Sequence, residues 1–518
     1  MSDRRMESHR SLCMKKILSR TATLTLPPAL YFGTNDDSLT RALRFYSIAV
    51  PAYVHYEIAD RMSRKESEDT RRKIFDQLHN TYSPIMRDNV LRMRGFFLKA
   101  AQLMSIREDY LPPQYLEWTV KMQNEAPVTF SSDDAKRIIC EDFGCESISD
   151  IFSEWDDEAV GSASIGQVYR AKLKSYGKTV AVKIQSPNAE SQFKSDLRAC
   201  KIFCKFALPH LVVSLEEIER QFLTEFDYRL EARNLGEIAN NLKSWGNKVV
   251  VPQPHTEFCS KHVLTMDFVQ GRKVSDIFRE YLEVIAGQQH KSVQEVKNEF
   301  KDKVLKQGLT DTNSRWWTLQ MHRLLSMFQK SSLPGINVVD LLDTAMRVHG
   351  HQLFVNGAFN GDPHPGNLML CPDGRLGLVD FGQVKRLSPE RLEQIARLVI
   401  ALSDDDREAI CRIALELGSR NLYNDPDTIY RLTAFWLDRD TPDITMGLDI
   451  HKFLEEMERR DPQQVLCQDL VMVCRCSVML RSLGLSLGLR VRTTDYWRPY
   501  AEAYLKCYRS SQTNLDSK

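Results

Sequence analysis

Residues 361–367 read Gly-Asp-Pro-His-Pro-Gly-Asn, and residues 379–382 read Val-Asp-Phe-Gly. Phosphoryl transfer from ATP requires Mg²⁺ to neutralise the phosphates, and Mg²⁺ prefers oxygen ligands. A kinase-type site has one Asp near the transferring group, an Asn five residues later for metal, and a second metal-binding Asp in an Asp-Phe-Gly turn. Asp362, Asn367 and Asp380 have this order and spacing. The two segments together predict a Mg-ATP site, with Asp362 as the catalytic residue and Asn367 and Asp380 on the metal.

Each segment alone would be ordinary loop chemistry, because Asp-Pro and Asp-Phe-Gly are also common in turns. Their surroundings favour the functional interpretation. Leu368–Leu370 and Leu376–Val379 have strand character and are divided by Pro372-Asp373-Gly374, which predicts a hairpin. The two segments therefore lie at the ends of one predicted hairpin.

A lysine on a predicted strand is the second element of the site. Lys183 lies in Thr179–Ile184, the second strand of a hairpin whose first strand is Val168–Leu173. A lysine on a half-buried strand is costly unless its ammonium meets an anion, here the α- and β-phosphates of ATP.

The acid that orients Lys183 is expected on the long helix predicted over residues 214–242. Asp227 and Glu231 are four residues apart and would share one face of that helix. Glu231 is the favoured partner of Lys183, and several of the other acids would be solvated surface.

Small residues precede the first strand at Gly161, Ser162, Ala163 and Ser164. A loop that covers phosphates needs small side chains so that its backbone can come close. The alternative is a simple turn that leads into the strand. The position just ahead of Lys183 makes these four residues a predicted nucleotide-binding loop.

Composition limits the other possibilities. The 518 residues carry a net charge of +1, which gives no indication of a nucleic-acid partner. Twelve cysteines occur without a C-x-x-C pair, as expected for reduced thiols in an intracellular compartment. No apolar run approaches the ~20 residues that span a bilayer, so any membrane association is expected to be peripheral. Residues 1–35 are basic and poor in acids, which suits an organelle-targeting leader or, alternatively, a disordered basic tail.

The order of elements predicts an α+β, protein-kinase-like fold of two lobes. Helices are expected over about 38–125, a further helix pair over about 128–155, then a small sheet with one long helix, and helices throughout after Leu387. The predicted domains are the leader at 1–35, a helical N-terminal extension at 36–127, a small lobe at 128–270 and a mainly helical lobe at 271–518. The last contains a predicted insertion at about 278–340 with no assigned function.

Taken together, the motifs resemble those of the UbiB family of atypical kinases, also called aarF-domain-containing kinases. The resemblance extends to the helical N-terminal extension, where Lys99-Ala100-Ala101-Gln102 matches the K-x-G-Q motif. Residues 163–168 match the alanine-rich loop, and Glu225-Phe226-Asp227 matches the E-x-D motif. Without the resemblance, Lys99 would be interpreted as a surface lysine.

The resemblance implies that the K-x-G-Q helix folds over the nucleotide cleft, meets the E-x-D acids and blocks a protein substrate. Lys99 is then a residue on which activity depends, and Gln102, Glu225 and Asp227 form the lid or gate with it. Two features depart from the family pattern. Ala101 replaces a glycine of K-x-G-Q, and Gly161 and Ser162 replace alanines in the loop.

The resemblance also implies a function: Mg-ATP-dependent ATPase or small-molecule kinase activity that supports isoprenoid-quinone (coenzyme Q) synthesis or lipid homeostasis. The implied setting is a mitochondrial inner membrane, with a plastid as the alternative, and the implied partners are lipid and proteins of a biosynthetic complex. Two other functions stay open. One is a non-catalytic ATP-binding scaffold, and the other is a conventional small-molecule phosphotransferase, because aminoglycoside-kinase-like proteins share G-D-x-H-P-G-N.

Overall fold

A computed structural model describes residues 36–106, 111–122, 130–162, 165–209, 212–293, 295, 296, 299, 338–465, 467–487 and 489–516. The predicted leader and most of the predicted insertion lie outside these residues. The chain divides into two compact units. Unit 1 is Met1–Gly177, Val182–Asp227 and Ser260–Val263, and unit 2 is Lys178–Ala181, Tyr228–Cys259 and Leu264–Lys518. The domain borders predicted at 127 and 270 stay predictions.

The described helices are α1 (Asp36–Ser63), α2 (Glu68–Met93), α3 (Gly95–Ile106), α4 (Pro113–Lys121), α5 (Ser132–Phe143), α6 (Ala189–Ala207), α7 (Val212–Leu223), α8 (Tyr228–Asn241), α9 (Val274–Gln289), α10 (Val338–His351), α11 (Pro389–Asp404), α12 (Arg407–Glu416), α13 (Pro426–Leu437), α14 (Pro442–Thr445), α15 (Ile450–Arg460), α16 (Gln468–Ser486) and α17 (Thr494–Asp516). The described strands are β1 (Phe152–Trp155), β2 (Gly161–Ser162), β3 (Gly166–Leu173), β4 (Thr179–Gln185), β5 (Val249–Val250), β6 (Val263–Asp267), β7 (Arg272–Lys273), β8 (Ala358–Asn360), β9 (Leu368–Leu370), β10 (Leu376–Leu378), β11 (Val384–Arg386), β12 (Arg420–Asn421) and β13 (Gln463–Val465).

Helix α1 packs against α6 in unit 1 through a small apolar core. Its buried members are Ala42, Tyr46, Val50, Ala199, Phe203 and Cys204. Beside this core the guanidinium of Arg41 pairs with the buried carboxylate of Asp196 and donates to the backbone oxygen of Met93 at 2.6 Å. A buried carboxylate is costly unless a cation meets it, so this pair fixes α1 against α6.

A five-stranded sheet has the order β1-β3-β4-β6, with β2 paired antiparallel to β3. The predicted hairpin strands are confirmed as β3 and β4. Residues 152–155, however, were predicted as part of a helix pair, and this prediction is wrong. Helix α5 begins with a capping box between Ser131 and Asp134 and ends at Gly144 in the left-handed region. The chain then enters β1, in which Phe152 is buried and Trp155 half-buried while Ser153 and Glu154 between them are exposed, and the register with β3 shifts between Phe152 and Glu154.

Unit 2 contains a four-stranded sheet in the order β5-β10-β9-β7 and the two-stranded pairs β8–β11 and β12–β13. Strands β9 and β10 are the hairpin that the sequence predicts. The rest of unit 2 is mainly helical. The prediction of helices throughout after Leu387 is wrong for the short strands β12 and β13.

Two buried groups fix the helices of unit 2. Trp497 on α17 is fully buried and donates its Nε1 to the backbone oxygen of Met346 on α10 at 3.1 Å. The carboxylate of Asp438 is fully buried as well and accepts from Arg439, Arg492 and Thr494 at 2.7 to 3.1 Å. Such a network is favourable only when every polar group has a partner, so it specifies one helix arrangement.

The described residues confirm the predicted α+β class. Among the helices that they form, none has the length and apolar character needed to cross a membrane.

Candidate active site

Asn360, the last residue of β8, connects the two loops that carry the predicted metal ligands. Its side-chain nitrogen donates to the backbone oxygen of Asp380 at 2.9 Å, and its side-chain oxygen accepts from the backbone N–H of Asp362 at 2.9 Å. The backbone oxygen of Asn360 accepts from Nε2 of buried His349 at 3.1 Å. Because Asn360 is buried, water competes little with these bonds. The amide of Asn360 therefore fixes the position of one loop relative to the other.

The loop over residues 361–367 presents oxygen atoms from both predicted site residues. The amide nitrogen of Asn367 donates to the backbone oxygen of Asp362 at 3.3 Å, which leaves the amide oxygen as the atom suited to a metal. His364 accepts from the backbone N–H of Gly366 through Nδ1 at 3.1 Å. Burial lowers the pKa of His364, so its ring is neutral at physiological pH and adds no positive charge beside Asp362.

Asp380 and Glu231 converge at Gly382. The Asp380 carboxylate accepts from the backbone N–H of Gly382 at 3.1 Å, which closes the Asp-Phe-Gly turn. A Cβ at Gly382 would lie 3.5 Å from Oδ1 of Asp380 and 3.8 Å from Oε2 of Glu231. Phe381 is buried, and its backbone oxygen accepts from Asn234 of α8 at 3.2 Å. The turn is therefore fixed on both sides, and the glycine leaves room beside two carboxylates.

These groups fit Mg²⁺ in their chemistry. Asp380, Glu231, Asp362 and Asn367 offer only hard oxygen ligands, and two neighbouring carboxylates favour a shared cation. In the part of the chain that the structure describes, no three His, Cys, Asp or Glu side chains form a cluster that could hold a metal by themselves. Magnesium commonly uses one or two carboxylates and completes its shell with water and phosphate oxygens, so a sparse protein ligand set suits it.

Arg475 of α16 also contacts this site, although no sequence motif predicts this contact. Its Nη2 donates to Oδ1 of Asp362 at 3.2 Å, and its Nη1 donates to the side-chain oxygen of Gln383 at 3.0 Å. The ion pair is largely buried, with 15% and 27% of the two side chains exposed. The residue lies 113 positions from Asp362, and no local motif marks it.

Unit 1 contains the predicted phosphate-binding lysine and loop. Lys183 lies on β4 with only 8% of its surface exposed, and β4 is buried along almost its whole length. Gly161 and Ser162 form β2, which pairs with β3. Ala163 and Ser164 lie outside the described residues. The loop is anchored behind them by Gln167, which is fully buried and donates to the backbone oxygen of Phe130 at 2.8 Å.

The single long helix predicted over residues 214–242 is wrong, because it is broken at the E-x-D motif. Helix α7 ends at Leu223, a 3₁₀ turn covers Thr224–Phe226, Asp227 is extended with φ −125°, and α8 begins at Tyr228. Asp227 and Glu231 therefore do not share one helix face. The rings of Phe222 in α7 and Phe226 in the 3₁₀ turn both pack on Phe193 of α6, so this aromatic contact spans the break.

Lys99 of α3 contacts the E-x-D motif. Its Nζ lies 2.9 Å from Oε2 of Glu225 and 4.8 Å from the centroid of the Phe222 ring. The two charged side chains are only 17% and 12% exposed. This is the contact that the family resemblance implied. The side chain of Gln102, four residues from the end of α3, lies outside the described residues.

The predicted residues are divided between the two units. Unit 2 contains Asp362, Asn367, Asp380 and Glu231, and unit 1 contains Lys99, Glu225, Asp227, Lys183, Gly161 and Ser162. Because Lys183 and Glu231 belong to different units, their pairing stays a prediction.

Comparison with known proteins gives consistent matches. A family model described as the ABC1 atypical kinase-like domain matches residues 121–316 and 321–414, more than half of the chain. An uncharacterized protein of Synechocystis sp. is 28% identical over 341 residues, which cover 64% of this chain and 50% of that protein. ACTIVITY OF BC1 COMPLEX KINASE 8, chloroplastic, of Arabidopsis thaliana is 26% identical over 68% of this chain and 40% of its own length. AarF domain-containing protein kinase 1 of Gallus gallus is 26% identical over 85% of this chain and 75% of its own length.

The chain spans only half or less of the length of the first two relatives. The matched kinase-like domain nevertheless confirms the predicted kinase-like α+β fold.

Proposed function

Because the chain belongs to the ABC1 atypical kinase-like family, we propose that it binds ATP with Mg²⁺ and acts as an atypical kinase or ATPase. The family model and the names of the AarF and bc1-complex kinases confirm the UbiB resemblance of the motifs. The observation that carries the proposal is the convergence of the Asp380 and Glu231 carboxylates at Gly382. Asn360 ties this turn to the loop that contains Asp362 and Asn367.

Each residue has a defined part in this proposal. Asp380 and Asn367 would hold Mg²⁺, which supplies charge neutralisation to the phosphates. Asp362 orients the attacking hydroxyl or water and accepts its proton. Lys183 contacts the phosphates and is oriented by Glu231, and residues 161–164 cover them. Lys99 and Gln102, with Glu225 and Asp227, form the lid that excludes a protein substrate.

The proposed setting is an organelle membrane, at which the chain associates peripherally with lipid and with proteins of a biosynthetic complex. There its activity supports isoprenoid-quinone (coenzyme Q) synthesis or lipid homeostasis. The name of one relative refers to the bc1 complex and to the chloroplast, which supports an organelle as the location. A mitochondrial inner-membrane location is proposed first, and a plastid is the alternative.

The test is ATP hydrolysis by the purified full chain, measured with and without vesicles of zwitterionic or anionic phospholipid. We expect the wild type to hydrolyse ATP and Asp362→Asn to lose about 100-fold or more in kcat while it still binds Mg-ATP. A matched control is Asp373→Asn, which alters an exposed carboxylate paired with Arg375 on the β9–β10 hairpin.

Binding of Mg-ATP with equal and negligible turnover in all three proteins would favour the scaffold. Rapid phosphorylation of a small hydroxylated substrate would favour the conventional phosphotransferase. The Lys99–Glu225 contact counts against the latter, because that function gives it no role.

A further inference from the structure

We propose that Arg475 is a positioning residue for the reaction, because its guanidinium joins the carboxylate of Asp362 to the residue that follows the Asp-Phe-Gly turn. The Nη2 of Arg475 donates to Oδ1 of Asp362 at 3.2 Å, and its Nη1 donates to the side-chain oxygen of Gln383 at 3.0 Å. The backbone N–H of Gly361 donates to the backbone oxygen of Gln383 at 2.7 Å, so the same two loops also meet beside the cation. The inference rests on the proposed function of Asp362 and Asp380.

Helix α16 is built against the Asp362 loop at two further points. A Cβ at Gly361 would lie 2.7 Å from Cε of Met472 and 3.1 Å from the backbone oxygen of Gln383, so only glycine fits without movement. One turn later, Sγ of Cys476 lies 3.4 Å from the backbone oxygen of Asn360. Arg475 therefore projects from a helix that is packed directly on the loop. Its contact with Asp362 is part of a close interface within unit 2.

The environment of Arg475 shows that stability alone does not explain the residue. Its Nε is buried and has no hydrogen-bond partner among the described residues. A buried donor left unsatisfied lowers the stability of the folded state. An apolar side chain would fill the same space without that cost, whereas only the planar guanidinium reaches two separate oxygen atoms at once.

The chemical role follows from which atoms are engaged. Arg475 donates to Oδ1 of Asp362, and no described residue donates to Oδ2, so Oδ2 is the carboxylate oxygen available to a hydroxyl or water in the orientation that the ion pair sets. Through Gln383 the same cation limits movement of the turn that carries Asp380. Small displacements of reacting groups reduce rates strongly, so a residue that acts only on geometry has a large kinetic effect. The helix that supplies it lies beyond residue 414, where the family match ends.

The test uses the full chain with Arg475→Ala, Arg475→Lys and the matched control Arg498→Ala. Arg498 is an arginine of α17 with surface ion pairs to Asp404 and Glu502, so its removal changes the net charge equally. We expect Arg475→Ala to lower kcat for ATP hydrolysis about 10- to 100-fold with KM for ATP changed less than about 3-fold. Arg475→Lys keeps the charge but cannot span both oxygens, so it should recover only part of kcat.

A second readout needs no nucleotide. Hydrogen exchange in Arg475→Ala should become faster at residues 360–367 and 380–384, while exchange in α11 and α17 and the melting temperature stay close to those of the wild type. Full activity in Arg475→Ala, or a loss of activity explained by global unfolding with faster exchange throughout unit 2, would overturn the inference. A wild type that binds no Mg-ATP would instead overturn the proposed function, and with it the premise of this inference.

Discussion

At the scale of single residues, the contact between Lys99 and Glu225 determines how α3 is attached to the E-x-D turn. The ammonium meets a carboxylate on one side and the face of Phe222 on the other. Both interactions strengthen when water is excluded, and both side chains are more than four-fifths buried. The lysine is therefore a packed residue of unit 1, although by itself its sequence context is that of a surface lysine.

A double-mutant cycle with Lys99→Met and Glu225→Gln tests this contact. Because the pair is largely shielded from solvent, we expect a coupling of about 1–3 kcal/mol in the free energy of unfolding, measured by urea denaturation. The matched control is the exposed pair of Lys172 and Glu154, at 2.8 Å on β3 and β1. Its coupling should be at most about 1 kcal/mol, since solvent screens it. Equal couplings in the two cycles would show that Lys99 does not hold α3 in place.

At the scale of elements, buried His349 supports β8 and through it the Asp362 loop. The ring stacks on Trp497 at 5.3 Å and donates from Nε2 to the backbone oxygen of Asn360. Its Nδ1 is buried without a partner among the described residues, so protonation would place an uncompensated charge in the core. Burial accordingly lowers the pKa of His349 to about 4.

This lowered pKa predicts a pH dependence of stability. An unfolded histidine titrates near 6.5, so between about pH 6.5 and pH 4 the unfolded state binds a proton that the folded state does not. The contribution of His349 is complete above pH 6.5 and is lost as the pH falls towards 4, by on the order of 3 kcal/mol.

The measurement is the free energy of unfolding from pH 7.5 to 4.5 for wild type, His349→Gln and His290→Gln. In His349→Gln the free energy of unfolding should fall less steeply below pH 6.5 than in the wild type. In His290→Gln, at the exposed end of α9, it should fall as steeply as in the wild type. An identical slope in His349→Gln and wild type would contradict the buried neutral imidazole.

The sequence predicted those elements whose cause is local. The β9–β10 hairpin follows from Pro372-Asp373-Gly374, and the spacing of Asp362 and Asn367 lies within a single loop. The break before α8 was missed because Phe222 and Phe226 keep the four-residue spacing of one helix face, and no Gly or Pro between them marks an interruption. Arg475 was missed because its contact with Asp362 exists only after α16 packs on Gly361.

At the scale of the whole molecule, the side chains of the site in unit 2 determine which chemistry the fold can support. The kinase-like match places the chain in a family, but only the side chains specify a site. In unit 2, Asn360 and Arg475 each connect the Asp362 loop with the Asp380 turn, and Gly382 lies beside the carboxylates of Asp380 and Glu231. The proposed function therefore requires that this site in unit 2 bind nucleotide through Mg²⁺.

Isothermal titration calorimetry of ATP into the full chain, with Mg²⁺ and with EDTA, tests this dependence most directly. We compare wild type with Asp380→Asn and with the control Asp373→Asn. We expect wild type and Asp373→Asn to bind ATP in the presence of Mg²⁺. Addition of EDTA, or the Asp380→Asn substitution, should weaken ATP binding at least about 10-fold, or 1.4 kcal/mol. Absence of binding by the wild type, or equal affinity in Asp380→Asn and wild type, would contradict the proposed function.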